Sequence, residues 1–302
     1  KTIKTELGTF KKRRIIGMLW KKDKLFCEIN PTCYAISLQK EIFKRHIKNL
    51  FDKEKYAKTI QDEKLPNIIS SRSINLLKKG KGIDPVLQEN KAVNIKLASN
   101  KMNGMVIHPG ESFSFWGTLG NTTKRKGYKE GRVIRGDKLQ PGTGGGLCNL
   151  ANTIHWLVLH SPLDVTEFHS HSDALAPDHG KREPFTSGTS VCYNSIDYRF
   201  KNNTDQDIQL FLWCDNEKLH GELRSEKEFP WSYRLVEEDH CFQKEGNKYY
   251  RKSKIYRETI NKKASDIIKK ELILDNHSEV MYDYDLIPKE QIKEIKEEKI
   301  RV

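Results

Sequence analysis

The stretch from Pro141 to Leu163 constrains this chain more than any other. Gly142, Gly144, Gly145 and Gly146 crowd in front of Cys148, an apolar segment of helical length runs from Leu150 to Leu159, and Ser161-Pro162 closes it. Glycine adopts backbone dihedrals closed to other residues and lets a ligand approach the main chain. A helix start leaves N–H groups unpaired and carries partial positive charge. A cysteine there has its thiolate favoured, and the same N–H groups can receive an oxyanion. Loop, cysteine and helix together thus suit acyl transfer. They equally suit a buried, inert cysteine beside a tight turn.

A chain of 302 residues with 36% hydrophobic and 31% charged residues can bury a core and reads as soluble and globular. The net charge of +13 favours anionic partners such as a wall polymer or an acidic membrane surface. Nucleic acid is disfavoured, because no zinc-finger or RNP spacing accompanies the charge. The six cysteines are dispersed with no Cys-x-x-Cys pair, which argues against a disulfide framework or a four-cysteine zinc site. No run approaches the ~18 apolar residues of a membrane span. Ile15 to Trp20 is too short for a secretory core and is followed by Lys21-Lys22. As it stands, the chain is expected to be soluble and cytoplasmic. Because it starts at lysine, surface association or export with a missing upstream segment stays open.

The expected fold class is α+β, with helices first, the glycine–cysteine–helix unit in the middle and antiparallel strands late. Residues 1–24 form a basic arm. Ile36, Phe43, Ile47, Leu50 and Phe51 mark an amphipathic helix over Ala35 to Phe51, with Tyr56 to Ile60 continuing it up to Leu65-Pro66. Residues 70–90 are rich in turn signals. A second helix is expected from Asn90 to Met102, capped at Asn103-Gly104, then a strand from Met105 to Ile107. Ser112 to Trp116 reads as a half-buried strand and Tyr128 to Ile134 as another, followed by a loop from Gly136 to Gly146. After a strand from Leu163 to Phe168, Ile196 to Lys201, Ile208 to Trp213 and Leu219 to Leu223 read as an antiparallel meander. Residues 230–285 read as irregular or strand-like, with a helix near Ser265 to Lys270, and a charged helix is expected from Ile287-Pro288 onward.

His169, His171 and His179 follow the cysteine helix, with Asp173 and Asp178 among them. A strand end that turned His171 back to the helix start would complete a Cys–His pair. His155 lies two helical turns beyond Cys148, too far to be the base, and is assigned to core packing; His160 is assigned to the helix C-terminus. The His169-x-His171 spacing matches no common zinc signature, so neither metal nor cofactor is expected. Glu111, after the Pro109-Gly110 turn, is either a substrate-positioning carboxylate or an ordinary surface residue.

Several ordered motifs resemble the VanW family of bacterial vancomycin-resistance clusters. They are Pro109 to Trp116, Gly144 to Cys148, His155 to Leu163, Glu167 to Ser172, Pro184 and Asp197 to Asn202, with Tyr56 to Ile60 and Leu65-Pro66 upstream. Asn149, Phe168 and Gly188 stand where the family pattern carries glutamine, arginine and aspartate. The resemblance implies a VanW-like domain over 45–225, which leaves the basic arm and N-terminal helix over 1–44 before it and a C-terminal extension with strands and a charged helix over 226–302 after it. It also implies a link to the cell wall and to glycopeptide resistance. Some VanW domains are credited with L,D-transpeptidase activity on peptidoglycan stem peptides. Carried over, Cys148 is the nucleophile and His171 the base. Gly144, Gly145, Gly146 and Asn149 form the oxyanion and substrate loop, and Glu111 positions substrate. The competing expectation is a non-catalytic wall- or precursor-binding accessory protein.

Overall fold

The computed structural model describes residues 25–77, 84–135, 138–170, 173–174, 177–178, 188–193 and 196–293. The basic arm, the turn-rich Lys78 to Gly82 stretch, His171, Ser172, His179, Pro184 and the last nine residues lie outside them. Contacts divide the chain at Asp52. The first unit contributes helix α1 (Pro31–Phe51), which begins where Asn30 Oδ1 accepts from Cys33 N at 2.8 Å and Pro31 presets the first turn. Its expected apolar positions Ile36, Phe43, Ile47, Leu50 and Phe51 are exposed.

The second unit is built on a five-stranded antiparallel sheet in the order β1 (Thr59–Ile60), β3 (Met105–Ile107), β9 (Ile208–Cys214), β10 (Lys218–Ser225) and β2 (Asn67–Asn75). Helices α2 (Pro85–Met102) and α4 (Leu147–Leu159) cover one face. Ile95, Ala98 and Met102 of α2 and Leu150, Ile154, Leu157 and Val158 of α4 form one core with Leu210, Leu212, Leu219 and Leu223. A Cβ at Gly221 would stand 2.7 Å from Leu157 Cδ1, so glycine sets how closely α4 lies on β10. Helix α2 starts five residues earlier than the apolar spacing indicates. Asp84 Oδ1 accepts from Val86 N and Leu87 N at 2.9 and 3.3 Å, and Pro85 takes the first helical position, so a dipeptide that reads as a turn is a helix start. At the other end Asn103 caps as expected and Gly104 turns out at φ +76°.

A second sheet assembles β4 (Ser112–Ser114), β8 (Arg199–Lys201) and β7 (Asp164–Glu167) in that order. Two expectations fail here. Ser112 to Trp116 is not one half-buried strand: every residue of it is buried, and the chain leaves β4 for the short helix α3 (Phe115–Leu119) because Ser114 Oγ accepts from Gly117 N. Residues 196–201 do not open a meander with β9. Only the last three are strand, Asp197, Tyr198, Arg199 and Phe200 are buried alike, and β8 pairs with β4 and β7. The meander therefore reduces to the β9–β10 hairpin.

Tyr56 forms a parallel bridge to Ser112 instead of extending α1. The loop expected from Gly136 holds a strand, β6 (Lys138–Thr143), hairpin partner of β5 (Glu130–Arg135). Pro141 is tolerated because this two-stranded ribbon has only edges.

Residues 231–279 form three long strands, β11 (Trp231–Glu245), β12 (Lys248–Asn261) and β13 (Ile267–Glu279). Charged side chains on these strands pair across the sheet, as in Arg234–Glu258 at 2.6 Å and Lys270–Glu238 at 2.6 Å, which hides the strand period in the sequence. The helix expected near Ser265 is instead a turn, with Asn261 Oδ1 accepting from Lys263 N and Ala264 N, and then β13. Past Pro288 a single 3₁₀ turn leads into β14 (Ile292–Lys293), parallel to β11, where a charged helix was expected.

Candidate functional site

Cys148 is the second residue of α4. Gly146 caps that helix at φ +97° with no side-chain cap, and of the first-turn N–H groups that of Asn149 bonds back to Gly146 O. The three glycines before the helix are demanded by packing. A Cβ at Gly144 would lie 2.7 Å from Thr122 Oγ1, at Gly145 2.2 Å from the Gly131 carbonyl carbon, and at Gly146 2.1 Å from Lys91 Cγ. Asn94 of α2 fastens the loop. Its Nδ2 donates to Gly145 O at 2.9 Å and Lys129 O at 3.0 Å, and its Oδ1 accepts from Lys129 N at 2.8 Å.

Opposite α4 runs the segment 188–193. Thr189 N donates to Asn152 Oδ1 at 2.6 Å, one turn along the helix from Cys148, and Cys148 Sγ donates to Val191 O at 3.8 Å. Cys148 keeps some exposed surface, yet protein atoms surround its sulfur on nearly every side. That burial is the largest influence on the thiol and pushes its pKa up. The Val191 hydrogen bond opposes it weakly, and Cys192 nearby adds to the rise. The expected thiolate-favouring environment is therefore absent, because desolvation outweighs the backbone hydrogen bonds that favour the thiolate. The resting thiol is protonated and needs a base to react. Iodoacetamide at neutral pH is expected to alkylate Cys148 more slowly than the exposed Cys192, and peptide mapping of a time course checks the order.

Asn149 donates its N–H to Gly146 O at 3.0 Å, and its carbonyl accepts from Thr153 Oγ1. His155 is fully buried, with Nδ1 3.1 Å from Tyr198 Oη and its ring stacked on Phe168. Burial lowers its pKa to about 3, so it is a neutral core residue, as its position implied. His160 caps α4, with Nδ1 2.8 Å from Trp156 O. Glu111 is buried, which excludes the surface reading. Its Oε2 accepts from His108 N at 3.1 Å and its Oε1 pairs with Lys55 at 3.0 Å, and neither partner belongs to the Cys148 loop.

The sequence assigned no role to a buried polar cluster around Asp197. Asp197 Oδ2 accepts from Ser114 Oγ at 2.6 Å and Arg199 Nε at 2.8 Å, while its Oδ1 accepts from Trp116 N and Tyr198 N, each at 3.0 Å. Arg199 also donates to Tyr56 Oη and lies 3.5 Å from Glu167, whose other oxygen accepts from His169 Nε2 at 3.0 Å. Burial alone would lower the Arg199 pKa; Asp197 and Glu167 outweigh it and hold the guanidinium charged. Phe168 stacks on His155 of α4, whereas His169 pairs with Glu167 in this cluster. The one available sequence signal was the i, i+2 spacing of Glu167 with His169 and of Asp197 with Arg199.

The family profile described as "VanW like protein" matches residues 90–224, which span the cysteine helix and the Asp197 cluster. The chain is 30% identical over 232 residues to the Vancomycin B-type resistance protein VanW of Enterococcus faecalis (strain ATCC 700802 / V583), covering 77% of this chain and 84% of that protein. The chain belongs to the VanW family. A second relative, the uncharacterized protein YoaR of Bacillus subtilis (strain 168), is 30% identical over 117 residues, 39% of this chain and 37% of YoaR. No solved structure matches the chain. Among the described residues of this VanW-family chain, no helix is long and apolar enough to cross a membrane.

Proposed function

We propose that this chain acts in vancomycin resistance at the bacterial cell wall, as a cysteine acyltransferase on peptidoglycan stem peptides. The observation that carries the reading is Cys148 on the first turn of α4, behind a glycine cap whose N–H groups carry no side-chain cap. In this scheme Cys148 Sγ attacks a stem-peptide carbonyl while its proton passes to a base. The N–H groups of Gly146, Leu147 and Cys148 receive the oxyanion, since that of Asn149 is already donated to Gly146 O. The terminal D-amino acid then leaves with that proton, and an acceptor amine displaces the thioester to restore the thiol. His171 is assigned as the base. Glu111, through its pairing with Lys55, would act on substrate only from outside the cysteine loop.

One observation favours a second reading. Burial of the Cys148 thiol and the filling of all three glycine positions by protein atoms suit an accessory protein that binds wall precursors without turnover. Equilibrium binding of muropeptides separates the two. The enzyme reading expects Cys148→Ala to bind stem peptides and form no thioester. The accessory reading expects both proteins to bind and neither to react.

A further inference from the structure

The five-stranded sheet carries a second constellation, on the face turned away from α2 and α4. Trp213 of β9, His220 of β10 and Ser73 of β2 lie in one row, paired Trp213↔His220 and His220↔Ser73. Ser73 Oγ is 2.7 Å from His220 Nδ1, and His220 Nε2 is 2.7 Å from Asp215 Oδ2 in the β9–β10 turn. We infer that Ser73, His220 and Asp215 form a serine-nucleophile site that hydrolyses acyl esters, separate from Cys148. The serine–imidazole–carboxylate order is the one that activates a hydroxyl, and it is recognised by geometry, whatever the chain order.

Sheet geometry explains how the three groups meet. Bonded and non-bonded pairs alternate along an antiparallel ladder. Leu76 N donates to Glu217 O, so the Leu76–Glu217 pair is bonded and Ser73↔His220 is a non-bonded pair, whose side chains stand closest. The same alternation turns the Ser73 N–H away from β10. Because β2 is the outer strand, that N–H faces the open edge, beside the hydroxyl and ready to donate to an oxyanion. Asp215 is a positioning residue. Glu217 N and Lys218 N donate to its Oδ1 at 2.7 and 2.6 Å, leaving Oδ2 for the imidazole. The His220 hydrogen bond, helped by those two amides, lowers its pKa to about 2, so it is ionised at any working pH. An ionised Oδ2 accepts a hydrogen bond from Nε2–H, which fixes the proton on Nε2 and leaves Nδ1 as the acceptor that a nucleophilic serine needs. Trp213 stacks on the imidazole at 5.1 Å and 11°, holding its plane.

The step balances with water as the only co-reactant. Ser73 Oγ bonds to the ester carbonyl as its proton moves to His220 Nδ1. The alcohol leaves with that proton, and water then cleaves the acyl-serine and restores the hydroxyl. Ser73 is exposed at a sheet edge, so the fitting substrate class is an ester carried on an extended molecule that can lie across a flat surface.

The test uses the full chain carrying Cys148→Ala, which removes the proposed cysteine nucleophile, with the remaining thiols, exposed Cys192 among them, blocked by N-ethylmaleimide. A fluorophosphonate probe with peptide mapping is expected to mark Ser73, and p-nitrophenyl acetate hydrolysis is expected to fall at least tenfold in Ser73→Ala and in His220→Ala. Asp215→Asn is expected to lower kcat without raising KM, which a merely structural role would not produce. Matching circular dichroism and Tm confirm folding, which an exposed serine should not disturb. Absence of label on Ser73, or a Ser73→Ala rate within twofold of the parent, overturns the inference.

Discussion

Asp197→Ala is expected to cost about 3–5 kcal/mol, the penalty for removing one partner of a buried, hydrogen-bonded ion pair. The variant loses acceptors for Ser114 Oγ, Arg199 Nε, Trp116 N and Tyr198 N in one step and leaves the buried guanidinium with the more distant Glu167. In a unit of this size, 1 kcal/mol corresponds to roughly 2–4 °C, so Tm should fall by about 10 °C. Asp197→Asn separates charge from hydrogen bonding. Its Oδ1 still accepts from the two backbone amides, while its amide nitrogen faces Arg199 or Ser114 donor to donor, so an intermediate loss is expected. Denaturant melts of the three proteins check the order. Equal stability of wild type and Asp197→Ala would show that the cluster does not hold the three-stranded sheet together.

Gly145→Ala is expected to be comparably damaging through sterics alone. Its new methyl would stand 2.2 Å from the Gly131 carbonyl carbon and 2.6 Å from Arg132 N, backbone atoms that no rotamer change can move aside. Gly131 faces it in kind, since a Cβ there would meet Gly145 O at 2.8 Å. Relief requires pushing the β5–β6 hairpin off the loop and breaking the Asn94 bonds to Gly145 O and Lys129 O. Overpacking of this sort costs about 3 kcal/mol or more. Gly146→Ala meets buried Lys91 at Cγ (2.1 Å) and Cβ (3.0 Å), the root of that side chain, and carries a strained positive φ of its own. Thermal melts should therefore rank Gly145→Ala below Gly110→Ala, whose added methyl meets nothing within 4 Å.

The parts of the fold that were legible in the sequence carry their own local signals. Apolar spacing placed α1 and α4, Asn103-Gly104 placed the end of α2, and Met105 to Ile107 stood out as a short apolar strand. What stayed hidden depends on partners distant in the chain. The three-stranded sheet joins residues near 113, 165 and 200; its strands could be read singly, but the alternation at 196–201 suggested one solvated face where β8 is buried on both, and nothing local showed which strands pair. The strands β11 to β13 read only as irregular or strand-like pieces, because lysine, arginine and glutamate paired across the sheet interrupt the apolar period, and only near Ser265 to Lys270 did they pass for a helix. At the site, the cysteine helix could be read, but nothing in the sequence showed that residues 188–193 would be bonded to Cys148 and Asn152. The Asp197 cluster draws on four separate segments, so each member passed for an isolated polar residue.

The proposed chemistry at Cys148 is tested most directly by mass spectrometry of the purified protein and its Cys148→Ala variant after incubation with disaccharide-tetrapeptide muropeptides. Cross-linked dimers, with an acyl adduct on Cys148, are expected from the wild type alone. Dimers from the alanine variant, or neither product from a folded wild type that binds the muropeptide, would contradict a cysteine acyltransferase; the second outcome would leave the accessory-protein reading standing.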